Sequence, residues 1–161
     1  MKKQSVILML GGNLGDVEKT FDQTVYLLNK YLGTVVCQSS DYATEAWGPI
    51  PQDDYLNRAI KINTFMPPLL FLKKMNEIER QLGRIRIERY GPRKIDIDII
   101  YWGDMIINHT KLIVPHPEMH KRKFVLEPLM EIAPNFKHPI FIKSPQQMLA
   151  ELKDSLSVVK K

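Results

Sequence analysis

The sequence predicts an α+β fold: a ferredoxin-like βαββαβ sandwich with a C-terminal hairpin and helical extension. Two segments, one after Asp16 and one after Pro67-Pro68, carry apolar side chains at helical spacing. Apolar runs flank them, and residues 55–65 and 95–100 alternate with the period of a β-strand. Their order over the first two-thirds of the chain is β-α-β-β-α-β, that of the ferredoxin-like unit. No repeat, linker or low-complexity tract breaks the 161 residues, so one domain spanning 1–161 is expected.

Residues 6–10 (VILML) form a continuous apolar run, read as a buried strand ending in Gly11-Gly12-Asn13. Asp16 caps a helix carrying Phe21, Val25, Leu28 and Leu32, which stops near Gly33. Residues 34–43 are strand-like, and residues 55–65 (YLNRAIKINTF) alternate as a further strand. Pro67-Pro68 opens the second helix, with Leu70, Leu72, Met75, Ile78 and Leu82 largely on one side and Gly83 as its stop. An arginine-rich connection leads into an alternating strand that ends at Trp102-Gly103-Asp104. Residues 105–114 read as a short hairpin and residues 125–132 as a short helix. Ser144-Pro145 caps a final helix ending in Lys160-Lys161.

A formal charge of +5 and a sequence pI near 9.3 favour anionic partners, either nucleotide phosphates or nucleic acid. The single cysteine, Cys37, has no partner for an intramolecular disulfide and reads as a buried strand residue. The apolar run at residues 6–10 is too short for an export signal, and nothing approaches a membrane span. A cytoplasmic protein is expected.

The chemistry concentrates in residues 84–100, RIRIERYGPRKIDIDII, where a basic run (Arg84, Arg86, Arg89, Arg93, Lys94) precedes Asp96 and Asp98. On a strand these two carboxylates share a face, about 7 Å apart along the chain. Two ionised groups there are costly unless compensated. Magnesium compensates them well, because it takes one or two protein carboxylates and fills its other positions with water and phosphate oxygens. The alternative is the wet face of an edge strand. The arginines match phosphate in bidentate forks; their alternatives are a solvated loop or a nucleic-acid patch. Gly11-Gly12-Asn13-Leu14-Gly15-Asp16 lacks the Lys-Ser/Thr of a phosphate loop and reads as a tight turn needing small residues. Tyr55 and Asn57 share a strand face that suits a flat heterocycle, stacked on the ring and paired at its polar edge. Core packing is the alternative for that tyrosine and for Phe124, and His116, between two prolines, is equally a structural residue.

In this combination the chain resembles the 6-hydroxymethyl-7,8-dihydropterin pyrophosphokinase family. The matching pieces run in order over roughly residues 5–135: GGNLGD, DYLN, the helix end at 79–83, GRIRIERYGPRKIDIDII, VPHP and residues 122–124. The resemblance implies transfer of diphosphate from ATP to a pterin alcohol, with release of AMP, in folate biosynthesis. It implies two magnesium ions on Asp96 and Asp98, and Arg84 and Arg93 as catalytic residues. Tyr55 and Phe124 would sandwich the pterin, Asn57 would bond its edge, and Thr44, Trp47 and Gly48 would belong to the loop that covers it. ATP would lie near Asn76, Glu79, Arg86, Tyr90, Ile99, Lys111, Ile113, His116 and Arg122. The partners implied are these small molecules alone, with no nucleic acid and no membrane, for a monomer. The chain departs from the family at Gly12, where Ser is frequent, at Tyr90, where Trp is, and at Pro117, where Tyr is. Its connection from Arg86 to Tyr90 is also shorter. No general base is singled out; Asp96 and a water molecule both stand as candidates.

Two rival classes stay open on the residues alone. An RNA-binding module on this fold would carry the RNP1 pattern of aromatic residues on a central strand. The strand in question instead presents carboxylates, which repel phosphates without a metal. A two-metal nuclease would release nucleotides from a polymer instead of AMP from ATP.

Overall fold

The computed structural model describes residues 2–46, 48–83, 91–153 and 157–161. Its strands are β1 (Gln4–Gly12), β2 (Thr34–Gln38), β3 (Tyr42–Thr44), β4 (Tyr55–Thr64), β5 (Asp96–Trp102), β6 (Ile107–Asn108), β7 (Ile113–Val114) and β8 (Val158–Lys160). Its helices are α1 (Val17–Tyr31), α2 (Pro68–Gln81), α3 (Lys123–Ile132) and α4 (Pro145–Ala150), with a 3-10 turn at Met119–Lys121. The main sheet runs β5-β1-β4-β3-β8, with β2 also pairing β4. Every pairing in it is antiparallel. The result is a mixed α/β fold on an antiparallel sheet, with β1 and β4 as its inner strands.

Alternation along β1 and β4 divides the core in two. Val6, Leu8, Leu10, Ile60 and Ile62 face α1 and α2, where they meet Phe21, Leu28, Phe71 and Met75. Ile7, Met9 and Ala59 face the other way, toward Val125, Leu126, Leu129 and Met148 of α3 and α4. Asp16 caps α1 as expected, its carboxylate accepting from the Lys19 N–H at 3.2 Å. Pro68 opens α2, and Gly83 (φ 90°) follows its end.

Four expectations need correction. The strand expected over residues 34–43 breaks into β2 and β3: the Ser39 N–H still bonds the Ala59 carbonyl at 2.9 Å, but side chains take over the neighbouring bonds. The Ser39 hydroxyl accepts from the Ala59 N–H at 2.8 Å, and the Ser40 N–H donates to Glu131 at 2.9 Å. The final helix expected to reach Lys161 ends at Ala150; the tail instead forms β8, and its β-branched Val158 and Val159 cover the edge of β3. Gly11 and Gly12 lie inside β1 and not in a turn. Cys37 is half-buried on β2, which is itself a sheet edge.

A largely buried Arg58–Asp41 pair ties β4 to the break, and an exposed Asp22 extends it to α1. The Arg58 guanidinium makes a two-pronged pair with Asp41, at 2.7 and 2.9 Å, and also reaches Asp22 at 2.9 Å. It lies over the Phe21 ring at 5.3 Å. Hydrogen bonds to Asp41 hold its pKa above the usual arginine value, against the opposing effect of burial. Arg58→Ala would leave Asp41 buried without its counter-charge, so a loss of about 3–5 kcal/mol in denaturant-derived stability is expected. Arg58→Lys should recover only part of it, since an ammonium cannot reproduce the fork.

His138 closes the loop between α3 and α4. Its ring stacks on Phe141 (centroids 4.4 Å), and its Nδ1 accepts from the Ile140 and Phe141 N–H groups at 3.1 and 3.2 Å. Burial, reinforced by neighbouring His120, pushes its pKa down to about 4. The folded state therefore holds His138 neutral where an unfolded chain would bind a proton near 6.5. The stability it contributes is complete above pH 6.5 and is lost as pH falls through about 4. Urea denaturation between pH 7 and 4 should show that decline, with a shallower dependence in His138→Gln.

Candidate active site

The pairing registers put the candidate residues into one cross-strand rank. Gly11 of β1 lies opposite Asn57 of β4 on one side and Asp96 of β5 on the other. In the next rank Met9 lies between Ala59 and Asp98, and on the outer strand Thr44 lies opposite Tyr55. With adjacent strands about 4.8 Å apart, Asn57 and Asp96 stand roughly 10 Å from one another across a residue that has no side chain. A Cβ at Gly11 would come within 3.2 Å of the Asn57 Oδ1. The glycine therefore keeps the floor open.

Above this floor is a cavity of about 900 Å³. Thr44, Tyr55 and Asn57 line one end, Arg93, Asp96 and Asp98 the other, and Arg122 and Phe124 at the start of α3 close over them. The Arg122 guanidinium lies over the Phe124 ring at 5.6 Å. The Thr44 hydroxyl and the Asn57 amide nitrogen are buried and have no hydrogen-bond partner among the described residues. Buried polar groups are rarely left so, and this pair has the hydrogen-bonding capacity to meet a polar edge brought into the cavity. Tyr55 donates to the Gly91 carbonyl at 2.7 Å, and burial raises its phenol pKa, which keeps the group a neutral donor.

At the acidic end, Arg93 Nη1 meets Asp96 Oδ2 at 3.1 Å. Among the described residues no cluster of three or more His, Cys, Asp or Glu side chains forms a cage for a metal. Two carboxylates on one strand face, open to a cavity, are the hard-oxygen donor set that magnesium shares with phosphate and water. The residues fit that ion in a substrate-completed site.

The sequence pattern of the 7,8-dihydro-6-hydroxymethylpterin-pyrophosphokinase (HPPK) family matches residues 7–134. The chain belongs to the HPPK family. It is therefore a pyrophosphokinase enzyme. A Synechocystis 2-amino-4-hydroxy-6-hydroxymethyldihydropteridine pyrophosphokinase is 37% identical over 147 residues, 91% of this chain and 75% of that one. The protein of that name from Bacillus subtilis is 42% identical over 126 residues, 78% of this chain and 75% of its own. In fold, the chain is similar to the crystal structure of Plasmodium falciparum HPPK-DHPS with pterin and p-hydroxybenzoate (TM-score 0.76, 17% identity). That likeness covers 93% of this chain but only 42% of the longer one.

The remaining residues expected of an HPPK divide by place. Glu79, Ile99, Asn76, Lys111, Ile113 and His116 are not among the residues lining the cavity. Glu79 is buried on α2 and accepts from the Ile97 N–H at 2.9 Å, so it satisfies the edge of β5 between Asp96 and Asp98. The Ile99 side chain is buried in the core beneath α1 and α2. Asn76, Lys111 and Ile113 are exposed, on α2 and on the β6–β7 hairpin. The His116 N–H donates to the Ile100 carbonyl at 3.0 Å; burial, with Arg122 adding to it, pushes the imidazole down to about 4 and so keeps it neutral. Gly48 is exposed with φ 109°. Trp47, Arg84, Arg86 and Tyr90 lie outside the described residues.

Sequence reasoning missed Gly11 as part of the cavity lining, along with the lysines Lys121, Lys143 and Lys153. The lysines line the cavity from the 3-10 turn and from the segments on either side of α4, which come from distant parts of the chain. No sequence signal marks Gly11, because its place opposite Asn57 is set by the pairing register of the folded sheet.

Proposed function

We propose a mechanism and a set of residues for the pyrophosphokinase step of folate biosynthesis: transfer of diphosphate from ATP to 6-hydroxymethyl-7,8-dihydropterin. The hydroxymethyl oxygen attacks the β-phosphorus in line. The bond from that phosphorus to the bridging oxygen breaks, and AMP leaves with the electron pair. Catalysis is positioning plus electrostatic stabilisation, since the chain offers no activated nucleophile.

The pterin ring lies between Tyr55 and Phe124, pairs its polar edge with Asn57, and is covered from the loop containing Thr44, Trp47 and Gly48. Asp96 and Asp98 would hold two magnesium ions, which when bound neutralise charge on the ATP phosphates. Arg93, with Arg84, stabilises the charge of the transferring group, and Arg86 and Arg122 bind phosphate. The nucleotide runs along the outer side of β5, near Asn76, Glu79, Tyr90, Lys111, Ile113 and His116, with Ile99 serving through its main chain. Neutral His116, whose Nδ1 accepts from the Glu118 N–H at 3.1 Å, keeps its Nε2–H to donate a hydrogen bond in the pH range where ATP is fully charged.

One observation carries this reading: the Asn57–Gly11–Asp96 rank. It separates a heterocycle-pairing amide from a carboxylate end by an open glycine, about the span that a flat ring with a hydroxymethyl arm has to bridge. The strand order and the antiparallel pairings support the ferredoxin-like topology, with β2 and β3 together taking the place of its second strand. The whole chain is read as one catalytic domain, acting as a monomer in the cytoplasm. No helix among the described residues is long and apolar enough to cross a membrane.

The test is incubation with ATP, magnesium and 6-hydroxymethyl-7,8-dihydropterin, followed by separation of the nucleotides. AMP and the pterin diphosphate are expected in equal amounts. ADP as the nucleotide product would overturn the mechanism.

A further inference from the structure

Arg93 lies in a connection with no regular structure, three residues ahead of β5, so no sheet ladder sets its place. Asn13 does so instead. Its side-chain Oδ1 accepts from the Arg93 N–H at 2.9 Å, and its own N–H donates to the Arg93 carbonyl at 2.9 Å, so one residue takes both hydrogen bonds of Arg93's main chain. The Leu14 N–H adds a second bond to the same carbonyl at 3.2 Å. The other half of the amide is also committed: Nδ2 donates to Gln52 Oε1 and to the Asp53 carbonyl, both at 2.9 Å. Gln52 Oε1 in turn accepts from the Tyr55 hydroxyl at 3.2 Å.

Asn13 is 6% exposed, and only an amide offers an acceptor and two donors in one plane at this length. Next to it, a Cβ at Gly12 would stand 2.7 Å from the Lys94 carbonyl, so the 93–94 main chain lies directly against the end of β1. With its backbone gripped in this way, Arg93 reaches Asp96 Oδ2 at 3.1 Å.

We infer that Asn13 is a positioning residue for catalysis, fixing Arg93 against the acidic strand and tying it to the loop that precedes Tyr55. The inference rests on the catalytic role proposed for Arg93. It is tested by a double-mutant cycle of Asn13→Ala and Arg93→Ala, with kcat and the pterin KM measured at saturating ATP and magnesium and folding checked by thermal midpoint. Asn13→Ala should lower kcat about 10- to 100-fold, as a small misplacement of a catalytic group does, while the pterin KM moves less than about threefold. In the Arg93→Ala background the same change should lower kcat by no more than about twofold, because the group it positions is gone.

Additive losses in the cycle, or an Asn13→Ala enzyme as fast as the parent, would overturn the inference. If Asn13→Ala does not fold, Asn13→Ser, whose hydroxyl is too short to reach, takes its place in the same cycle. A fully active Arg93→Ala enzyme would instead remove the role of Arg93 itself, so the two failures are told apart.

Discussion

Replacing Asp98 with alanine is expected to abolish turnover at saturating magnesium, with kcat falling at least roughly 10³-fold, the equivalent of about 4 kcal/mol in the barrier. The reason is local. Asp98 and Asp96 are the two carboxylates that β5 presents to the cavity, and magnesium drawing on so few protein ligands has no substitute for either. The fold should survive the change, because Asp98 lies outside both hydrophobic clusters and is half-buried beside Met9. Asp98→Asn separates shape from charge: it should be as slow as the alanine variant, and raising magnesium tenfold should not rescue it. Turnover of Asp98→Ala near the parent rate would reject the metal assignment. Nucleotide binding with and without magnesium supplies a readout independent of chemistry, and its magnesium dependence should disappear in both variants.

Arg93→Ala should lower kcat roughly 10²–10³-fold, the range seen when one preorganised donor to a developing charge is removed. Its effect on pterin binding should be much smaller. The guanidinium is aimed at the acidic end of the cavity, whereas Tyr55 and Asn57, the groups proposed to bind the ring, belong to β4. An interaction wanted most in the transition state shows in kcat and leaves ground-state affinity nearly untouched. Arg93→Lys should recover little, since a point charge cannot reproduce a planar fork on phosphate. Full kcat in Arg93→Ala would contradict the role assigned to it.

Most of the elements were legible because their signals are local. Asp16 and Pro68 sit at helix starts where any chain of this sequence would place them, and the alternation of residues 55–65 survives as β4. The misreadings share one cause: partners distant in sequence. The strand is interrupted at Ser39 and Ser40 because the Ser39 hydroxyl takes the Ala59 N–H and Glu131 takes the Ser40 N–H. Val158 and Val159 become a strand because β3 presents an unpaired edge. Gly11 and Gly12 looked like turn residues, yet their value lies in what approaches them, the Asn57 amide and the Lys94 carbonyl. A glycine's neighbours in space leave no mark on its neighbours in sequence.

The same division holds for the chemistry. By itself the sequence determined the chemical vocabulary: two carboxylates in phase on one strand, arginines before them, an aromatic and an amide in phase on another. Phase along a strand is set by backbone geometry, so those pairs needed no tertiary knowledge. Only the tertiary structure decided that the two strands flank a glycine of the central one, which turns separate pairs into one cavity. It also re-phased β5 beyond the acids. A bulge near Ile100 lets both Ile100 and Tyr101 face α3, and sends Trp102 to the opposite core, against Phe71. The physical reason is that register and bulges are settled by packing between elements, as is the grip of Asn13 on Arg93. Such terms enter only once the chain has closed on itself.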